Sequence, residues 1–128
     1  MAVLRGRVSS GRGDLSLWMT KYAETYARVV GVRLFPGSLN LVLDHEWVLP
    51  PERIRIEPSE YGGRVGMNIV PCAIGGIEAF ILRTDQNEAG TGHHDRHVLE
   101  IAAPVRLRDA LQLEDGDLVE VMIKAQRV

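Results

Sequence analysis

Ser10-Gly11-Arg12-Gly13-Asp14 places two glycines around an arginine, between a strand-like stretch and a helix-like one. Glycines let backbone N–H groups approach an anion closely and tolerate positive φ. An arginine among them adds charge-assisted hydrogen bonds to phosphate. No Gly-Lys-Ser/Thr follows, so this is not a P-loop, and the third glycine of a dinucleotide fingerprint is missing. The segment reads as a phosphate cradle or as a plain strand-to-helix turn. Pro36-Gly37-Ser38-Leu39-Asn40 enters a strand with residues 38 and 40 on one face, a hydroxyl beside an amide carbonyl. Oxygen ligands of this kind suit Mg²⁺, which takes few protein ligands beside substrate phosphates. The same residues also serve a turn with local side-chain-to-backbone hydrogen bonds.

Thr91-Gly92-His93-His94-Asp95-Arg96-His97 leads into Glu100. The histidine spacing is not that of a common zinc site, and the lone cysteine, Cys72, lies in an apolar run that reads as core. A polar loop over a pocket, with Thr91 and Glu100 touching a ligand, fits the composition better. Glu100 sits in an apolar strand, and alternation alone leaves open whether it faces a site or solvent. Ala103-Pro104-Val105-Arg106-Leu107-Arg108 puts two arginines near a helix start, where backbone N–H groups favour anions; a pair of solvated surface arginines is the alternative.

The elements that must position these residues are mostly extended. Apolar alternation and turn signals predict strands over residues 3–9, 39–43, 53–56, 65–70, 79–83, 98–102 and 118–123. Gly75-Gly76 is a hairpin signal. Trp18, Tyr22, Tyr26 and Val29 share one helical face and predict the main helix over residues 20–30, with Thr20 as N-cap and Gly31 just past its end. A short helix is predicted over residues 106–111, and residues 85–96 read as a long polar loop. Strands not separated by regular helices argue against a doubly wound parallel sheet and for a small, mostly antiparallel barrel, whose closure removes exposed edges.

The 128 residues are one domain's worth, expected as a single domain over residues 1–128. The net charge of −2 leaves no concentrated basic footprint, so no nucleic-acid partner is expected. No apolar run approaches the ~20 residues of a membrane span, and no leader pattern is visible; a cytoplasmic location without a membrane partner is expected.

Taken in order, these segments resemble the archaeal CTP-dependent riboflavin kinases. The resemblance runs from about residue 6 to about residue 123. It is carried by Gly6-Arg7-Val8-Ser9-Ser10-Gly11-Arg12-Gly13, by Pro36-Gly37-Ser38-Leu39-Asn40-Leu41, by His93-His94 with Leu99-Glu100-Ile101-Ala102-Ala103-Pro104, and by Leu107-Arg108 with Leu113-Glu114-Asp115-Gly116-Asp117. It implies a mainly β fold, a compact six-stranded cradle-loop β-barrel with one main helix and one short helix. It implies transfer of the γ-phosphate of CTP to riboflavin, giving FMN and CDP. Gly11, Arg12, Gly13, Asp14, Leu15 and Ser16 would then cradle the nucleotide, and Val105, Arg106, Leu107 and Arg108 would contact it. Ser38 and Asn40 would hold Mg²⁺, Thr91 and Glu100 would contact the flavin, and Glu100 would orient or deprotonate the acceptor hydroxyl. The third glycine of the family's loop is replaced here by Leu15, and the proline after Arg83 by Thr84. The altered glycine loop motivates an alternative, a catalytically inactive flavin- or nucleotide-binding sensor domain.

Overall fold

Short apolar-rich runs, with glycine and proline at many of the joints, form seven strands among the described residues of the computed structural model, which are 2–11, 15–92 and 94–124. They are β1 (Ala2–Ser9), β2 (Leu39–Leu43), β3 (Ile54–Ile56), β4 (Met67–Ile74), β5 (Ile77–Thr84), β6 (Val98–Ala102) and β7 (Leu118–Ile123). Every pairing is antiparallel. The order β4-β5-β6-β2-β1-β7 returns to β4 and closes a six-stranded barrel, with β3 as an additional strand. β3 and β7 share one edge of β4: β3 pairs with residues 67–69 and β7 with residues 72–74. Pro71, which has no N–H to give a ladder, falls between the two pairings. β4 and β5 turn through Gly75 and Gly76, both at positive φ (57° and 79°), the backbone a two-residue hairpin of this hand requires.

The strands separate two apolar cores. Side chains pointing into the barrel, among them Leu41, Val70, Ile81, Leu99, Ile101 and Val121, form the first. The opposite face of β3, β4 and β5, with Ile56, Ile69 and Leu82, forms the second against Met19, Tyr26, Leu34 and Tyr61. Cys72 belongs to the inner core, where burial pushes its thiol up to about 12.

The helical layer over the second core is α1 (Leu15–Lys21) and α2 (Ala23–Val30). The helix predicted over residues 20–30 therefore starts earlier and bends at Tyr22 (φ −110°, ψ 29°). Hydrogen bonds continue across the bend, Tyr22 N to Trp18 O and Tyr26 N to Tyr22 O. Trp18 and Tyr22 stack at 5.7 Å and both pack on Tyr61, which fixes the bend. Thr20 is not the N-cap; its hydroxyl donates to Ser16 O within α1. Gly31 ends α2 in the left-handed region, as its position predicts. The predicted short helix is α4 (Leu107–Ala110), and the polar segment after β5 begins with an unpredicted turn of helix, α3 (Asp85–Glu88), capped by the Thr84 hydroxyl. Among the described residues no helix is long and apolar enough to cross a membrane.

Two arginines anchor the segment after β5. Arg83, 3% exposed, donates to the carbonyls of Trp47, Arg96 and Val98 and pairs with Glu88 at 3.0 Å. Arg55 holds both oxygens of Asp85, which also accepts from Asn68 and Gly66 N. The Arg55 guanidinium lowers the Asp85 carboxyl to about 2. A carboxyl whose pKa is lower folded than unfolded stabilises the fold above its unfolded pKa and loses that contribution as pH falls toward its folded one. The destabilisation caused by Asp85→Asn is therefore expected to be full at neutral pH and to fade from about pH 4 down to about pH 2. Denaturant melts of both proteins across that range check it; a gap that does not narrow in acid is the contrary result.

Candidate functional site

The register of three strands builds the site. Ser9 on β1 lies opposite Asn40 on β2, and Asn40 lies opposite Glu100 on β6. Their neighbours Val8, Leu41 and Leu99 point into the barrel, so Asn40 and Glu100 stand on its outer face. They are nonetheless only 5% and 9% exposed. That resolves the orientation left open by alternation: Glu100 points away from the inner core, yet into a covered place and not into bulk water.

Ser38 completes the group. Its Oγ lies 3.4 Å from Asn40 Oδ1 and 3.4 Å from Glu100 Oε2. These oxygens face one another on a short arc of backbone because residues 38 and 40 share a face as β2 begins. They form a hard oxygen set of the type Mg²⁺ takes. Among the described residues, no group of three or more His, Cys, Asp or Glu side chains is arranged to hold a metal. Ser38, Asn40 and Glu100 bring a hydroxyl, an amide carbonyl and a carboxylate together.

The glycine bend meets the same group. A Cβ built on Gly11 would collide with the Asn40 carboxamide, on its Nδ2 and with Cγ at 3.0 Å. Gly11, of the predicted phosphate-binding segment, thus lies against Asn40, one of the two predicted metal ligands. Arg12, Gly13 and Asp14 lie outside the described residues. Leu15 opens α1 and packs its side chain against the second core. Ser16 is exposed on α1, where its carbonyl accepts the Thr20 hydroxyl.

An open pocket of about 360 Å³, its mouth included, adjoins Ser38. Phe35, Val105, Arg106 and Arg108 line it, and Phe35 N donates to Ala103 O across its floor. Leu107 also lines it while packing into the inner core. Arg106 pairs with Asp109 at 2.6 Å on the surface. Arg108 reaches back to the bend, donating from Nη2 to Ser9 O at 3.2 Å.

On the other flank the predicted flavin residues part company. Thr91 is exposed, and its hydroxyl donates to Gln86 O at 3.3 Å rather than reaching Glu100. His94 comes instead: its Nε2 lies 4.0 Å from Glu100 Oε1, both side chains largely covered. His93 lies outside the described residues. Beneath Glu100, the buried Tyr26 and Tyr61 hydroxyls meet at 2.6 Å. Burial raises both phenols, Tyr61 to about 12, and the Glu100 charge pushes each the same way. Sequence reasoning gave no site role to His94, Tyr26 or Asp115, although His94 and Asp115 stand in segments that carry the family resemblance.

The sequence profile of the family CTP-dep_RFKase, described as Domain of unknown function DUF120, matches residues 8–123. A riboflavin kinase of Pyrobaculum aerophilum is 38% identical over 133 aligned positions, covering 94% of this chain and 60% of that protein. A riboflavin kinase of Thermofilum pendens is 34% identical, covering 94% and 58%. One of Methanosarcina barkeri is 32% identical, covering 96% and 57%. The chain thus spans about six tenths of the length of these relatives.

Proposed function

This chain belongs to the CTP-dep_RFKase family, and from that premise we propose that it is a riboflavin kinase that moves the γ-phosphate of CTP onto riboflavin, giving FMN and CDP. The observation that carries the reading is the convergence on Asn40: Gly11 lies against its carboxamide, Ser38 Oγ is 3.4 Å from its Oδ1, and Glu100 is its cross-strand partner. A triphosphate, its cation and an acceptor hydroxyl would need those three surfaces to meet.

In the proposed reaction the riboflavin 5′-hydroxyl oxygen bonds to the γ-phosphorus, and the bond from that phosphorus to the β–γ bridging oxygen breaks. CDP leaves with the electron pair. Glu100 accepts the hydroxyl proton, provided the hydroxyl comes within hydrogen-bond reach. The bend and Arg108 hold the phosphates in line, and positioning of this kind supplies most of the catalysis in phosphoryl transfer. Mg²⁺, held by Ser38 and Asn40, would neutralise charge on the phosphate oxygens. The pocket beside Arg106 and Arg108 would take the nucleoside.

Leu15 bears on the sensor alternative. Its side chain packs against the second core, which favours an intact cradle over a filled one. The deciding assay mixes the protein with riboflavin, Mg²⁺ and each of CTP, ATP, GTP and UTP, and follows FMN. Turnover with CTP is expected; no FMN above blank with any of the four refutes the kinase, and FMN binding without turnover would support the sensor. Asn40→Ala is expected to reduce Mg²⁺-dependent turnover at least a hundredfold; turnover at the wild-type level would dismiss the metal assignment.

A further inference from the structure

Asp115 stands 75 residues beyond Asn40 in the chain, in the turn before β7. It is tied to the nucleotide side of the site by both of its oxygens. Ser10 Oγ donates to Oδ2 at 2.7 Å, and Arg108 Nη2 donates to Oδ1 at 2.5 Å. These two donors, Ser10 first, hold its carboxyl below the usual aspartate range. The turn itself is pinned to the strand that leads into the bend: Gly116 N donates to Val8 O at 2.8 Å, Val8 N to Asp117 O at 2.9 Å, and Arg7 to Gly116 O at 3.0 Å. Asp115 is therefore a fixed post that grips a residue of the bend with one oxygen and an arginine of the pocket with the other.

An ion pair with side chains 25% and 57% exposed contributes little to stability. Its consequence lies in where it holds the guanidinium. Arg108 is anchored through Nη2 alone, to Asp115 and Ser9 O; among the described residues its Nε and Nη1 have no hydrogen-bond partner. A planar guanidinium gripped at this corner gives up its rotamer freedom before the ligand arrives and keeps Nε–H and Nη1–H as separate donors for anion oxygens.

The geometry points to Asp115 as a positioning residue for nucleotide binding, one that is itself held by Ser10 and aims Arg108 at the phosphates. The inference rests on the nucleotide reading of the bend and deepens it. The carboxylate's own charge would repel a triphosphate, but it is compensated by Arg108, and solvent and salt screen what is left over about 8 Å. The orientation of the short-range donors therefore decides the sign, and removing Asp115 weakens binding.

The test is calorimetry with Mg²⁺ and whichever of CTP, ATP, GTP and UTP binds wild type most tightly, on wild type, Asp115→Ala, Arg108→Ala and the double variant, with steady-state kinetics alongside. Asp115→Ala is expected to weaken nucleotide binding about tenfold, leave the KM for riboflavin within twofold, and add almost nothing in the Arg108→Ala background, because it acts through that arginine. Unchanged or tighter binding overturns the proposal, as does a full additive loss in the double variant. A parallel loss of riboflavin affinity with a lowered melting temperature also overturns it, since that marks a purely structural role. Wild type that binds a triphosphate yet makes no FMN refutes the kinase and leaves the Asp115 measurement decisive; wild type that binds none of the four removes both.

Discussion

Glu100→Gln is expected to lower kcat for FMN formation by about 10²–10⁴, the range that a positioned general base supplies, while the KM for the nucleotide stays within about threefold. Glutamine keeps the length and polarity of the side chain, so the Ser38 hydroxyl keeps an acceptor at the place where Oε2 now lies 3.4 Å away. What it removes is the carboxylate that β6 brings to the site, the proposed acceptor of the proton, and the charge that faces His94 at 4.0 Å. The loss should therefore fall on the chemical step. Steady-state kinetics beside a melting curve separates this from misfolding. A kcat within threefold of wild type, in a protein that melts normally, would mean that Glu100 is not the base.

Gly11→Ala should cost about a hundredfold in kcat/KM with little change in stability. No positive φ is needed at Gly11, so the penalty is one of space alone. The added methyl group would occupy the place of the Asn40 amide. β1 and β2 are locked together through the Ser9–Asn40 pair, so the strands cannot part to make room. The Asn40 side chain must move instead, turning its Oδ1 away from Ser38 and Glu100, and a displacement near 1 Å in a positioning group costs about 10²-fold. A thermodynamic cycle checks the cause: added to Asn40→Ala, the Gly11→Ala change should do nothing further. Full activity in Gly11→Ala, or an additive loss in the double variant, would separate the bend from Asn40.

The barrel was readable in the residues because apolar and polar positions alternate in β1 and β7, where one face is sealed and the other is open, and β2 and β6 each carry a single polar residue between apolar ones. Residues 39–43, 98–102 and 118–123 begin and end where the pattern says. Alternation failed where both faces are buried. In β4 and β5, residues on one face enter the barrel and residues on the other enter the second core, so the runs look uniformly apolar and their limits blur. Glu100 was ambiguous for the same reason: a covered outer face is not a pattern that one strand can display. Residue type and local spacing singled out Ser38, Asn40 and Gly11, and the structure brings the three together. Asp115 was not singled out, since its meaning depends on Ser10 and Arg108, which only the closed topology brings to it. The α3 turn was missed because Thr84 offers a cap for only four residues, too few to show a helical period. Thr91 was expected on the ligand, and its bond to Gln86 ties it to its own loop.

The two apolar layers give the molecule unequal stiffness. Asn40 and Glu100 ride on strands whose inner faces are sealed in the barrel, while the aromatic sheet of Trp18, Tyr22 and Tyr61 roofs the neighbouring layer from a bent and partly exposed helical run. Work done on the reacting groups is thus resisted by the ring of strands, and the roof is the softer member. A change in the helical layer can therefore be absorbed there without moving the Ser38, Asn40 and Glu100 oxygens.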